Sequence, residues 1–381
     1  MKFIPYNKSY INNLELNYLN KTIKSKCIGN IGEATYHAQN QIKKIYTNSQ
    51  IILTHSCSAA LEMISILINI KKGDEVIVPS FAFISTANAF AMRGAKIIFA
   101  DICRENLNID INCILKLITN KTKAIVAVHY AGNSCNLSFL KKICKQYKIF
   151  LIEDAAQAFM SRDKNKKLLG TFGHFATLSF HETKNVVAGQ GGALLINSKG
   201  YYKRAIHLRD KGSNRYDFDN RTVKKYTWVD FGSSYTIGEI SASILNAQLK
   251  KKNYIINKKK FIWKEYYRYL KPYDGMLFQL PKKNNQYFNA HIFYILLKSQ
   301  KTRKKLQDRT KNKFQLISHY EPLHLSKAGK KFGLIRGSLK NTIYVANRIL
   351  RLPSHLGVNK SEIKLICDTI IKELSKISSI K

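Results

Sequence analysis

One stretch of the chain, 178-LSFHETKNVVAGQGGALLIN-197, places a single lysine, Lys184, between an apolar run and a glycine-rich turn that leads into a second apolar run. Most lysines are solvated and do no chemistry. Lys184 is set apart by Ser179 five residues before it and by Gly189, Gly191 and Gly192 after it. Desolvation and a neighbouring cation would lower its pKa and free the amine for Schiff-base chemistry. Upstream, 151-LIEDAAQAF-159 ends an apolar run in two carboxylates. Burying Asp154 requires a cation or several donors, and a protonated pyridine nitrogen is one such cation; capping the next helix is the plainer use. Earlier still, 53-LTHSCSAALEM-63 follows an apolar run with small hydroxylated residues that open a helix. Free backbone N–H groups and the helix dipole make such a turn a seat for phosphate, with Ser56 or Ser58 adding a hydroxyl, although Ser at a helix start also serves simply as a cap. In 79-PSFAFIST-86, Phe83 is placed to stack on a flat ring or to pack in the core. An imine-forming lysine, an acid for a ring nitrogen and anchors for a phosphate are together what pyridoxal phosphate requires.

These groups all stand where apolar runs end. Runs at 51–53, 76–78, 96–100, 124–128, 149–153, 175–180 and 193–196 alternate with helix-like stretches such as 58–70 and 137–148. Strands buried on both faces and separated by helices imply an α/β domain with a largely parallel sheet. Ligands bind outside the carboxyl ends of such strands. A charge shift marks a boundary: residues 1–250 carry 34 Lys+Arg against 17 Asp+Glu, and residues 251–381 carry 30 against 7. The expectation is a large domain over 1–250 and a smaller one over 251–381, joined at 249-LKKKNYIINKKK-260, read as the solvated part of a connecting helix.

At 381 residues and 45% hydrophobic content the chain is globular. Its net charge of +40 invites a nucleic-acid reading. Asn, Ile and Tyr are abundant as well, the residues that AT-rich codons specify, and the lysines are spread without a basic tail. No nucleic-acid partner is therefore expected. No window approaches 18 uncharged apolar residues and the first residues lack a signal-peptide pattern, so no membrane span is expected and the location is read as cytoplasmic. Seven cysteines, scattered and without a C-x-x-C pair, argue against a disulfide framework or a zinc site; no metal is expected.

The segments LTHSCSAALEM, GDEVIVPSFAFISTANAFAMRGAKI, VHYAGNSC, IEDAAQA, SFHETKN, GGALLIN, LRDKGSNR, KYTWVDFGSSY, NAHIFYI and HYEPLH follow one another through most of the chain. In them the sequence resembles the DegT/StrS-type sugar aminotransferases, which are fold-type-I enzymes dependent on pyridoxal 5'-phosphate. The resemblance implies a large domain with an N-terminal arm and a mostly parallel seven-stranded sheet, followed by a smaller C-terminal α+β domain. It implies that Lys184 binds the cofactor aldehyde, that Asp154 faces the pyridine nitrogen and that Gln157 lies near the ring hydroxyl. Ser58, Ala59 and Ser179 would hold the phosphate, and Phe83 would stack on the ring. Ser234 stands where relatives often carry an Asn that reaches the partner subunit's cofactor, so a homodimer with shared sites is implied. His181, Arg209, Lys211, Arg215, His319 and Tyr320 are the candidates for substrate contact; a structural histidine and a solvated charged loop are the plain alternatives for His181 and LRDKGSNR. The implied substrates are L-glutamate and a dTDP-linked 4-keto-6-deoxy sugar, as in the branch of the family that forms dTDP-4-amino-4,6-dideoxygalactose. Sugar dehydratases of this family replace the lysine with His, so Lys184 speaks for amino transfer. Ser58 stands where Thr is usual, GEISAS (238–243) replaces a more usual SDLQAA, and Glu321 occupies a commonly apolar position.

Overall fold

A computed structural model describes residues 3–29, 31–282 and 287–379. All seven apolar runs become strands: β1 (Gln50–Thr54), β2 (Glu75–Pro79), β3 (Lys96–Ala100), β4 (Thr122–Val128), β5 (Phe150–Asp154), β6 (Phe175–Ser179) and β7 (Gly192–Ile196). Four more follow in the chain, β8 (Phe278–Gln279), β9 (Phe293–Leu297), β10 (Gly333–Ile335) and β11 (Ile349–Leu352). The large sheet has the order β1-β7-β6-β5-β4-β2-β3-β10. β7 runs antiparallel to both its neighbours and every other pairing is parallel. The sheet thus has eight strands where the sequence led us to expect seven. The extra one, β10, is three residues long with two of them exposed, too short and too polar in its surroundings to read as a buried strand. It comes from the C-terminal part of the chain and pairs with β3, Gly333 opposite Ile97.

Each face of the large sheet carries its own apolar layer. One gathers Ala38, Ile42, Leu140 and Phe180; the other gathers Leu61, Ile64, Phe90 and Leu208. The two helix-like stretches of the sequence are helices Cys57–Leu67 and Leu137–Gln146. A second, antiparallel sheet, β11-β9-β8, packs with helices Lys252–Leu270, Gln300–Thr310 and Lys360–Ser379. Its core holds Trp263, Tyr266, Phe293 and Ile366, together with Ile4 from the start of the chain.

Polar bonds fix the C-terminal part against the edge of the large sheet. The Asp101 carboxylate, just past β3, accepts from the N–H groups of Asn341 (3.0 Å) and Thr342 (2.8 Å) and from Thr342 Oγ1 (2.8 Å), capping helix Lys340–Arg348. Arg336 grips the Glu75 carboxylate through both terminal nitrogens, and the guanidinium holds that carboxyl below its usual range against the opposing effect of burial.

The stretch 249–260 departs from expectation. It is divided between helix Glu239–Lys250 and helix Lys252–Leu270, and it is not all solvated. The helical period turns Ile255, Ile256 and Lys259 inward, where all three are buried. Lys259 Nζ donates to the Ser354 carbonyl (2.6 Å) and Ser354 Oγ (3.0 Å). Burial brings its pKa down to about 7. An unfolded lysine titrates near 10.4, so the cost of burying the cation is fully present below about pH 7 and fades as pH rises toward 10. Lys259→Met is expected to raise the melting temperature by about 2–5 °C at pH 6 and by less at pH 9, a difference that thermal melts at the two pH values will read.

Candidate active site

The carboxyl ends of β1, β5 and β6 open on one cavity of about 490 Å³. Lys184, Asp154, Ser58, Ser179, Tyr320 and Arg351 all stand in its wall. Asp154 is the last residue of β5 and Ser179 the last of β6, while Lys184 lies in the turn between β6 and β7. The strand ends therefore bring the lysine and hydroxyl of one stretch together with the acid of another.

Strand alternation sorts the two carboxylates of 151-LIED-154 to opposite faces. Glu153 points away from the cavity and accepts from the backbone N–H groups of Gly170, Phe172 and Gly173 and from His129 Nε2. Asp154 faces the cavity and accepts from Thr86 Oγ1 at 2.6 Å and from the Ala156 N–H at 3.2 Å. Among the described residues it has no cationic partner. A buried carboxylate held by one hydroxyl and one amide still has capacity for a cationic donor.

Lys184 Nζ makes no hydrogen bond or ion pair among the described residues. Burial lowers its pKa. Cys57 and Asp154 oppose this, and the Arg351 guanidinium adds to it. Burial itself pushes the Cys57 thiol up to about 12, so it stays a thiol at neutral pH. The neighbouring cation that the chemistry of Lys184 called for is thus Arg351, brought in by β11 from 167 positions away in the sequence. Arg351 donates from Nη1 to Tyr6 Oη (2.8 Å) and from Nη2 to the Ser318 carbonyl (3.3 Å), and its guanidinium lies 4.6 Å from the Tyr6 ring centre. It has no carboxylate partner among the described residues. Tyr6 belongs to an N-terminal strap. Asn7 Nδ2 and Ser9 Oγ both donate to the Glu182 carbonyl in the lysine's own turn, at 3.2 and 3.3 Å, and Ile4 bridges to Phe314.

The other residues singled out in the sequence divide in two. Ser58, Phe83, Gln157, His181, His319 and Tyr320 line the cavity with Lys184. Ser58 Oγ is 2.6 Å from Ser85 Oγ, and Ser179 Oγ accepts from the His181 N–H at 3.4 Å. The Ala59 N–H is engaged by Ser56 Oγ at 3.1 Å, so the helix end offers the N–H groups of Cys57 and Ser58 first. Gly192 lets β7 pass this turn, since a Cβ there would overlap Cys57 N and the Ser56 carbonyl. Gln157 Oε1 accepts from the Ala131 N–H (2.7 Å) and Gln157 Nε2 donates to Tyr320 Oη (2.8 Å), which leaves the tyrosine's own proton for a ligand. His181 and His319 are both held below the ordinary histidine range by burial, with Lys184 contributing in each case and Arg351 in the second. Phe83 is 56% exposed. Ser234, Arg209, Lys211 and Arg215 do not line the cavity of their own chain. Arg209 pairs with Asp210, Arg215 with Asp219, and exposed Ser234 bridges through its backbone to Asp210.

Tyr6, His291 and Arg351 were not singled out in the sequence. Arg351 sits in 350-LRLPS-354, an apolar strand in which a lone arginine was the available signal.

The residues present fit pyridoxal phosphate. A lysine with depressed basicity, a cavity-facing carboxylate without a cation and an open helix end share one cavity. The chain matches the DegT/DnrJ/EryC1/StrS aminotransferase family over residues 9–371. An uncharacterized protein of Methanocaldococcus jannaschii is 30% identical over 383 residues, covering 98% of each chain. A GDP-perosamine synthase of Escherichia coli O157:H7 is 28% identical over 377 residues, covering 97% of this chain and 98% of the other. In fold, the structure superposes on PseC of Helicobacter pylori, an aminotransferase involved in the biosynthesis of pseudoaminic acid, with a TM-score of 0.89 at 23% identity over 98% of this chain and 100% of that one. The mostly parallel large sheet with its smaller antiparallel companion is the fold-type-I architecture. The chain belongs to the DegT/DnrJ/EryC1/StrS aminotransferase family and is a sugar aminotransferase dependent on pyridoxal 5'-phosphate.

Proposed function

We propose that the chain moves an amino group from L-glutamate to C4 of dTDP-4-dehydro-6-deoxy-D-glucose, giving dTDP-4-amino-4,6-dideoxy-D-galactose and 2-oxoglutarate, for enterobacterial common antigen or a related surface polysaccharide such as lipopolysaccharide. The observation that carries amino transfer is the free, desolvated Lys184 amine in one cavity with Asp154. The dTDP-sugar rests on the resemblance of the sequence to that branch of the family. The likeness to a GDP-perosamine synthase favours a second reading, in which the acceptor is a GDP-linked keto sugar.

When bound, the cofactor supplies an electron sink that stabilises a carbanion beside nitrogen. Lys184 would hold it, Asp154 would keep its ring nitrogen protonated, and Cys57 and Ser58 N–H groups with the Ser58 and Ser179 hydroxyls would take its phosphate. The chain's own work is then to move one proton. Once the donor's amine has displaced it from the cofactor, Lys184 Nζ would take the proton from the α-carbon of glutamate and, in the second half-reaction, deliver one to the sugar carbon. Burial lowers its pKa, which shifts the group toward the unprotonated form this step uses. Arg351, without a carboxylate of its own, is the group we assign to a carboxylate of glutamate.

We also read the chain as a homodimer with sites completed across the interface. Supporting this, Phe83, Ile84, Trp228 and Phe231 are 56%, 65%, 78% and 60% exposed. Ser234, Arg209, Lys211 and Arg215 lie apart from their own cavity and would serve the partner's.

Incubation with L-glutamate and the dTDP- or GDP-linked 4-keto-6-deoxy sugar, followed by NMR of the product at C4, tests the reading; no aminated sugar from either would sink it. Lys184→Ala is expected to abolish borohydride-fixable cofactor and to lower turnover by at least about 10⁴-fold. Arg351→Met is expected to raise KM for L-glutamate by about 10–100-fold while KM for the sugar changes far less, as steady-state kinetics with each substrate varied will show.

A further inference from the structure

His291 stands in the cavity wall and is 8% exposed. Its neighbours fix where its proton resides. Asn185, the residue after Lys184, donates from Nδ2 to the Asn289 carbonyl at 2.9 Å. A carbonyl only accepts, so the amide can face it only with its NH₂, and Asn185 Oδ1 is turned to His291 Nδ1 at 3.1 Å. The amide oxygen also only accepts, and the hydrogen must therefore sit on His291 Nδ1. That leaves Nε2 as a bare lone pair. Burial holds the ring well below the ordinary histidine pKa, followed by the charges of Lys184, Lys259 and Arg351 and by His319.

The frame around this ring is rigid. Asn289 Nδ2 donates to the carbonyls of Gln157 (3.0 Å) and Phe159 (3.1 Å), its N–H donates to Ser161 Oγ (3.0 Å), and its Oδ1 accepts from the His291 N–H (3.1 Å). Gly132 passes so close to Asn289 Oδ1 that a Cβ there would overlap it. Nε2 has no partner among the described residues, and it is not one of the polar atoms sealed from solvent, so its access is through the cavity. A fixed acceptor with no donor in the protein requires one from a ligand.

The charge of the cavity narrows the choice of that donor. Arg351 already faces the same space without a carboxylate partner, and an ammonium would bring a second fixed cation beside the Lys184 nitrogen. Carboxylates and phosphates bring no hydrogen to give at neutral pH. A sugar hydroxyl is the neutral donor among the substrates. His291 is bonded to Asn185, the residue that follows Lys184, and lines the same cavity, so the ring lies near the lysine that must reach the reacting carbon. We propose that His291 is a specificity-determining residue, whose Nε2 accepts from the hydroxyl of the acceptor sugar on a carbon adjacent to the one that is aminated. This rests on the reading of the chain as an aminotransferase for nucleotide keto sugars, and it adds which substituent the site reads.

The test compares two nucleotide-linked 4-keto-6-deoxy sugars, alike except that one carries the 3-hydroxyl and the other is 3-deoxy. Dissociation constants are measured by calorimetry on the holoenzyme without glutamate, and kcat/KM with it. The wild type is expected to favour the hydroxylated sugar by about 10–100-fold in both measurements. His291→Leu should shrink this preference to within about threefold, and His291→Gln, which returns an amide oxygen near Nε2, should restore a preference of about tenfold. Melting temperatures within about 3 °C of wild type qualify the variants as folded, and the wild-type preference alone decides the matter should they melt lower. Equal use of the two sugars by the wild type, or an undiminished preference in folded His291→Leu, overturns the inference. A wild-type holoenzyme that binds neither sugar overturns the functional reading as well, and so marks that failure apart from this one.

Discussion

The site depends on keeping an amine and a carboxylate in one cavity without letting them neutralise each other. Asp154 is occupied on its protein side by Thr86 and the Ala156 N–H, and Lys184 Nζ is left without a partner. Had the two met as an ion pair, the lysine would be a stable ammonium with its lone pair gone. Burial and Arg351 push the other way. The cost of an arginine without a carboxylate beside an amine without a partner is accepted by the fold because the surrounding strands are fixed by their own apolar layers. A ligand rich in negative charge, such as a phosphorylated aldehyde or a dicarboxylic amino acid, answers that imbalance.

How the fold holds such a balance is a matter of geometry rather than of any single bond. The acid and the serine close consecutive parallel strands, so they arrive at the same rim. The lysine's turn is fastened from two sides. The N-terminal strap bonds the Glu182 carbonyl, and Asn185 bonds the segment that leads into β9. Arg351 comes with β11, whose partner in the small sheet is β9 itself. The lysine, the arginine that tunes it and the histidine beside it are thus held by one connected set of hydrogen bonds.

Much of this was legible in the sequence, and what was not has a common cause. The seven strands announced themselves as apolar runs, and Lys184 and Asp154 were visible because each ends such a run. Strand-end logic works when the signal is local. Tyr6 and Arg351 reach the cavity from opposite ends of the chain, and nothing within a few residues of either names its destination, while His291 stood inside NAHIFYI with nothing to mark the histidine itself. β10 escaped because a three-residue edge strand has no period to read. Lys259 was misjudged for the opposite reason: a lysine-rich stretch looks uniformly solvated until the helix turns one of its members inward. Ala59 was matched to a phosphate by its position, and without a ligand its N–H bonds the serine that starts the helix.

The eighth strand has a consequence for how the molecule is made. β3 would otherwise end the large sheet with an open row of amides and carbonyls, the kind of margin that invites another chain to pair with it. Its cover, Gly333–Ile335, is encoded more than two hundred residues later, so a growing polypeptide must carry that bare margin through most of its synthesis. Translation speed and chaperone capture during that interval become part of what this architecture demands of the cell.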